Sequence, residues 1–445
     1  MPAVADLAGF PCFEVEFKKD GSLVNPGDEQ GAAQFIKDRT LTDLLVFSHG
    51  WNNDMDDARK LYRNFFAKVR DQRANAGVGG RQFGVLAVLW PSKRFADQEL
   101  IPGGNAAGMD SELPDEVLED QIDRLKKGFS GEKGFFDRED AAAVLDEAKT
   151  LVPQLEGDPD ARQRFVNLVR SLVQQRPGDV EDAAADFFTL PKDQSLKRLK
   201  FPANPPAPAG SAGPAAGIGG EIRRGIGNFF SGMKAAAERL LNYTTYYQMK
   251  ERAGLVGRKG AYAVIRAIQV KNKDLRVHLI GHSFGGRLVT AAALGPDGGT
   301  PIRPSTMTLL QAAFSHYGFA ENYDDGGTDG LFRRVLKEGR VAGPVLISHT
   351  SNDQAVGIAY PIASRLAGQA GAAFGDANDF FGGIGRNGAQ KTPECAPPGV
   401  LLDVNNNYNF REEKVFNLRA DVIQNHSDIS RDEVAYALLK AVATT

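Results

Sequence analysis

Cysteine is nearly absent from this chain: Cys12 and Cys395 are the only two in 445 residues. Two thiols near opposite ends exclude a disulfide framework and a cysteine-based zinc site, and they fit a reducing compartment. Charge of one sign is lacking too. Lys and Arg number 53 against 56 Asp and Glu, a net charge of −3, which removes any global electrostatic case for nucleic acid or an anionic membrane as partner. No window holds roughly eighteen uninterrupted apolar residues, so no transmembrane helix is expected. The start, Met1-Pro2-Ala3-Val4-Ala5-Asp6, has no basic stretch followed by an apolar one, so no signal peptide is evident. These absences lead to the expectation of a soluble, cytoplasmic protein with no stable membrane insertion.

A hydrophobic fraction of 42% and a charged fraction of 24% suit an ordinary globular chain. The length allows one large decorated domain or two to three smaller ones. Phe13-Glu14-Val15-Glu16-Phe17 alternates at period two and reads as a half-buried edge strand. Leu44-Leu45-Val46-Phe47 is continuously apolar, as a strand covered on both faces would be. Ala58, Leu61, Tyr62, Phe65, Phe66 and Val69 follow at helical spacing. Phe83 to Trp90 is the next strand, stopped by Pro91. Strand, helix and strand form a βαβ unit.

From Ser92 to Tyr243 buried strand runs disappear and helical periodicity takes over. Val144, Leu145, Ala148, Leu151 and Val152 share one face, and Phe165, Leu168, Val169, Leu172 and Val173 another. Phe201 to Gly220 is rich in Pro, Ala and Gly and reads as a flexible link. Glu221 to Leu241 reads as an amphipathic helix through Ile226, Phe229, Phe230 and Met233. Packing on the core is the favoured reading of its apolar face, with weak interfacial contact to lipid as the alternative. The basic residues of Lys250 to Lys259 read as a solvated helix face.

The α/β rhythm then resumes. Gly260 to Val270 is helical, Arg276 to Ile280 a strand, and Arg287 to Leu294 a helix. Further buried strands are expected at Met307 to Ala312, Val345 to Ser348 and Val415 to Arg419, with a terminal helix over Arg431 to Val442. Gly368 to Gly388, dense in Gly and Ala, reads as a mobile loop. The fold class is therefore α/β: a mostly parallel central sheet flanked by helices. Residues 1–91 and 241–445 would form its discontinuous core, and 92–240 a large helical cap or lid.

Gly281-His282-Ser283-Phe284-Gly285-Gly286 sits between the strand and the helix. A chain with 49 glycines meets Gly-x-Ser-x-Gly by chance about 0.2 times, so the flanking elements carry the weight. Strand, Gly-x-Ser-x-Gly and helix make a nucleophile elbow, which lifts the serine hydroxyl to where a base and a carbonyl both reach it. A serine needs a base, and the base an orienting carboxylate, in the chain order Ser, acid, His. Asp353 follows the strand Val345 to Ser348, and His426 follows Val415 to Arg419. Ser283, His426 and Asp353 are the expected nucleophile, base and acid, with nucleophile and base about 3 Å apart.

The backbone N–H groups of Phe284 and Trp51 are the candidate oxyanion donors. His49 would shape the oxyanion loop, Gly50 let the backbone approach substrate, and Asn52 belong to the same loop. His282 would support the elbow turn. Alternatives for the acid are Asp324, Asp325, Asp329 and Asp403, and Asp428 reads as a cap of the C-terminal region. Among the other histidines, His278 reads as packed in its strand, while His316 and His349 precede Asp353 and so fall in the wrong order.

Val46-Phe47-Ser48-His49-Gly50-Trp51-Asn52-Asn53, Leu89-Trp90-Pro91-Ser92 and the Gly281 to Gly286 elbow together resemble the bacterial serine-esterase, lipase-like branch of the α/β-hydrolase superfamily. Asn425-His426-Ser427-Asp428-Ile429 is similar to that branch's catalytic-histidine loop. The resemblance spans about Leu41 to Ser92 and Tyr243 to the end, and the insertion departs from a minimal hydrolase. It implies an α/β-hydrolase fold and the same triad and oxyanion donors. It also implies a small-molecule or lipid ester as substrate, with no metal or organic cofactor. An amidase or peptidase with this triad, or a binding protein that keeps the fold without turnover, are the alternatives.

Overall fold

The apolar run Leu44 to Phe47 lies in strand β3 (Asp43–Ser48), every residue of which is buried. The computed structural model describes residues 4–51, 53–92, 112–128, 135–175, 184–200, 231–324, 326–353, 366 and 380–445. In it β3 sits inside a nine-stranded sheet. The other strands are β1 (Val4–Leu7), β2 (Phe10–Glu16), β4 (Phe83–Leu89), β5 (Arg276–His282), β6 (Thr306–Leu310), β7 (Val345–His349), β8 (Gly399–Val400) and β9 (Val415–Arg419). Their order is β1-β2-β4-β3-β5-β6-β7-β9-β8. β1 runs antiparallel to β2, and the remaining pairs are parallel. The class is α/β, a mostly parallel sheet flanked by helices.

Side chains alternate along each strand, so each strand serves both layers. Phe47 faces the helix Met55–Gln72, where its ring centroid lies 4.9 Å from Tyr62, 4.8 Å from Phe65 and 5.7 Å from Phe66. That helix starts on a capping box: the Asp54 carboxylate accepts from the Asp56 and Asp57 N–H groups, and the Asp57 side chain accepts from the Asp54 N–H. Tyr436, Leu438, Leu439 and Val442 of the terminal helix Asp432–Val442 join the same core. Phe13, of opposite parity to Phe10 and Cys12, meets Phe35 of the helix Asp28–Asp38 at 5.6 Å.

The strands and helices expected from apolar runs are present, with boundaries shifted by a few residues. The elbow helix is Phe284–Leu294 and starts directly after Ser283. Tyr262–Lys271 is preceded by a π-helical turn, Val256–Ala261.

Some expectations hold only in part or fail. The Phe13 to Phe17 segment pairs with β4 as far as Glu16, and β1 covers β2 only up to Phe13, so β2 is interior to the sheet at its start alone. The helix Asp28–Asp38 buries Ala32 and Ala33 beside Phe35 and Ile36, small residues that leave a weak periodic signal. Lys250 and Arg252 are buried rather than solvated, and only Arg258 and Lys259 of that basic group are exposed. Arg252 donates to the Pro91 carbonyl at 3.1 Å.

The chain divides into two compact units. One comprises Met1–Ser92, Met249–Val356 and Gly383–Thr445; the other comprises Lys93–Gln248 and Gly357–Gly382. The helical unit thus recruits a second segment that the sequence places in the core. Leu366 from that segment accepts a hydrogen bond from Arg198. Within this unit Arg162 pairs with Asp193 at 2.9 Å, both largely buried, and Phe187 lies 5.3 Å from Tyr243. The 201–220 link and Ile226, Phe229 and Phe230 of the 221–241 segment lie outside the described residues. Among the described residues no helix is long and apolar enough to cross a membrane.

Phe47→Ala should leave a cavity against three aromatic rings and lower stability by about 3–5 kcal/mol. Urea unfolding checks it: a lower midpoint with an unchanged slope is expected.

Candidate active site

β3 pairs with β4 on one side and β5 on the other. The chain therefore reverses its course across the sheet at β3, and loops leaving the carboxyl ends of such a pair diverge and leave a crevice. Ser48 lies opposite Gly281 in the register, so His49-Gly50-Trp51 and His282-Ser283 leave the sheet side by side.

Ser283 has φ 55° and ψ −126°, a conformation that costs an L side chain about 1–3 kcal/mol and persists only when its surroundings impose it. Here the Ser283 N–H donates to the Leu310 carbonyl at 3.1 Å, and the Ser283 carbonyl accepts from Ala313 at 3.0 Å. Two glycines allow the approach. A Cβ on Gly285 would lie 2.1 Å from the Ser48 carbonyl oxygen, and a Cβ on Gly50 would lie 2.5 Å from Ser283 Cβ and 3.1 Å from Ser283 Oγ. The β3 loop backbone therefore passes directly against the Ser283 hydroxyl.

His49 is fully buried and sets the orientation of that loop. The Trp90 N–H donates to His49 Nε2 at 3.2 Å. Nε2 thus carries the lone pair and Nδ1 the proton, which goes to the Gly50 carbonyl at 2.9 Å. In a trans peptide the carbonyl and the next N–H point opposite ways. Holding the Gly50 oxygen therefore also aims the Trp51 N–H, away from His49. Asn53 Nδ2 adds a hydrogen bond to the same oxygen at 3.3 Å. Burial pushes the His49 pKa down to about 4, so the ring is neutral at pH 7.

Asp353 lies in the loop after β7 and is fully buried. Its Oδ2 accepts from His426 Nδ1 at 2.8 Å. That bond places the proton on Nδ1 and leaves the lone pair on Nε2. The two loops are stitched together: Asn352 donates to the Ile423 carbonyl at 3.0 Å, and Ala420 N–H to the His349 carbonyl at 2.8 Å. Arg386 holds the acid loop through the Ser351 and Asp353 carbonyls at 2.8 Å and 3.3 Å. His282, next to Ser283, reaches the His426 carbonyl at 2.8 Å. Among the described residues no hydrogen bond joins Ser283 Oγ to His426; such contacts often close only once substrate is bound.

The structure thus brings Asp353 and His426 into contact beside the elbow and leaves the other candidates elsewhere. Asp324 accepts from Thr328 and Gly326 within its own exposed turn. Asp329 accepts from the Asn322 N–H, and Asp403 from that of Asn406 through its backbone. Asn52 and Asp325 lie outside the described residues. His278 is packed in β5 between Asp43 and Thr306. Asp428 accepts from the Gln424 N–H and from Arg431, the residue before the terminal helix, and so closes the His426 loop.

Of the Gly368 to Gly388 stretch, 368–379 lies outside the described residues. Its end is a short helix, Ile384–Asn387, with Ile384, Gly385 and Arg386 buried. Arg386 was invisible in the sequence except as a lone cation in a glycine-rich tract. Burial pushes the Cys12 thiol up to about 12 and Cys395 up to about 11, so neither is available as a thiolate nucleophile. No group of His, Cys, Asp and Glu suited to a metal ion occurs among the described residues. No family model, curated protein or solved structure matches the chain.

The two buried rings have a consequence for stability. His49 and His282 are held below the ordinary histidine value by burial, at about 4 and about 3. Between those values and about 6.5 the unfolded chain binds more protons than the folded one, so stability is full above about 6.5 and is lost as pH falls. His49 alone accounts for about 3 kcal/mol across that window. Urea midpoints at about pH 7 and about pH 4.5 should differ less in His49→Gln than in wild type; equal drops would exclude His49 as a source.

Proposed function

We propose that this chain is a serine hydrolase of the α/β-hydrolase type that cleaves a carboxylic ester through an acyl-enzyme on Ser283. The observation that carries the reading is the buried Asp353–His426 pair, joined at 2.8 Å, beside a serine held at positive φ between strand and helix. Sheet topology, elbow, acid and base come in the order such a fold requires.

In this mechanism Ser283 Oγ attacks the ester carbonyl carbon while its proton passes to His426 Nε2. Asp353 accepts from Nδ1–H throughout and stabilises the imidazolium. The carbonyl oxygen becomes an oxyanion, held by the N–H groups of Trp51 and Phe284. The bond to the alcohol oxygen then breaks, and His426 returns the proton to that oxygen. Water next attacks the acyl-Ser283, giving its proton to His426, and the acid leaves as Ser283 is reprotonated. Gly50 serves by absence: a methyl there would occupy the space beside Oγ.

A fluorophosphonate probe should label wild type and not Ser283→Ala; equal labelling of both would sink the reading. Asp353→Asn should lower kcat by about 10⁴ while circular dichroism stays unchanged, because the wrong tautomer of His426 is then favoured. Gly50→Ala should slow labelling of Ser283 sharply. Ester and amide substrates matched in acyl group decide the leaving group: amide turnover at or above the ester rate would replace the ester assignment.

A further inference from the structure

His282 is 3% exposed and bridges two parts of the candidate site. Its Nε2 lies 2.8 Å from the His426 carbonyl oxygen. A carbonyl can only accept, so Nε2 carries the proton and Nδ1 the lone pair. The His282 and His426 rings lie 4.9 Å apart between centroids, tilted by 41°. His282 Nδ1 is buried and, among the described residues, has no hydrogen-bond partner. It lies 3.2 Å from the point where a Gly50 Cβ would sit, and Ser283 Oγ lies 3.1 Å from that same point. Nδ1 and the hydroxyl thus both border the position that a side chain on Gly50 would take.

We propose that His282 is a positioning residue for His426, acting through its Nε2–H on the His426 carbonyl and through the contact of the two rings. The proposal rests on the reading of Ser283, His426 and Asp353 as a triad. The Asp353 bond pins one edge of the His426 ring, but its side chain is 19% exposed and sits on a loop. A single hydrogen bond at Nδ1 leaves the ring free to pivot about it. The second hold is on the backbone of the same residue, from a side chain rooted at the end of β5, next to Ser283. Nucleophile and base are thereby tied to one strand end.

The charge state suits the role. Burial, and then the proximity of His426, pushes His282 down to about 3. It stays neutral at working pH, so it adds no positive charge beside the imidazolium that forms on His426 during turnover. The titratable groups that face His282 are His426 and His49, and the latter is itself neutral.

The test compares wild type, His282→Gln and His282→Leu as full-length proteins, using p-nitrophenyl butyrate turnover and the fluorophosphonate labelling rate of Ser283. A glutamine amide can still donate to the His426 carbonyl; leucine cannot. The expected result is a kcat loss on the order of 10²-fold in His282→Leu, as for a reacting group misplaced by about 1 Å. KM should stay within about twofold, labelling should slow in parallel, and glutamine should rescue most of the loss. The acid limb of the pH profile should keep one ionisation in wild type and His282→Gln alike.

Equal losses in both variants, or no loss in either, overturn the positioning role while leaving the triad standing. An ionisation present in wild type and missing in His282→Gln overturns it as well. Absence of wild-type labelling overturns the triad itself and this proposal with it. Should His282→Leu fail to fold, His282→Asn, whose shorter amide falls short of the carbonyl, takes its place under the same criteria.

Discussion

The close approach of the helix Phe284–Leu294 to the end of β3 is the constraint on which the rest of the site depends. Gly285 stands where any side chain would meet the Ser48 carbonyl oxygen at 2.1 Å. With the helix that near, the turn from β5 has no room for an ordinary backbone conformation, and Ser283 is driven to φ 55°. The strain is held by hydrogen bonds to Leu310 at the end of β6 and to Ala313 just beyond it. The same proximity brings Gly50 against Ser283. One packing contact thus sets the serine conformation and the loop that borders it.

The site's other groups are positioned mainly through backbone carbonyls. His49 holds Gly50, Arg386 holds Ser351 and Asp353, Asn352 holds Ile423, and His282 holds His426. Each tie fixes a peptide plane rather than a flexible side-chain end, so the loops inherit the rigidity of the strands they leave. The two buried histidines do this as neutral rings. A protonated ring in either place would need a counter-charge that its surroundings lack, and burial lowers both pKa values accordingly. Asp353 is different: its buried carboxylate has the ring N–H of His426 as a hydrogen-bond partner at 2.8 Å.

Much of this was legible in the residues. Continuous apolar runs at Leu44 to Phe47 and Phe83 to Leu89 announce strands covered on both faces, because burial on both sides removes the need for alternation. Helical spacing of Tyr62, Phe65 and Phe66 marks the face that packs on Phe47. The order Ser283, Asp353, His426 picks out two residues, far apart in the chain, that meet at 2.8 Å. Weak signals failed where chemistry and local pattern part. β1 and β8 are too short to show a period. Lys250 and Arg252 are cations that the fold buries. Arg386 sits in a tract whose glycine content suggests a loop, yet it forms part of a short buried helix.

By itself the sequence determined the α/β rhythm, the strand–turn–helix around Ser283 and the identity of the acid and base candidates. These are local properties: burial pattern, turn chemistry and residue order are written in neighbouring letters. Only the tertiary structure decided that β3 and β5 lie side by side, that His282 spans to His426, and that Gly357–Gly382 joins the helical unit. Such contacts join residues far apart in the chain, and their geometry follows from sheet order and packing rather than from any local preference.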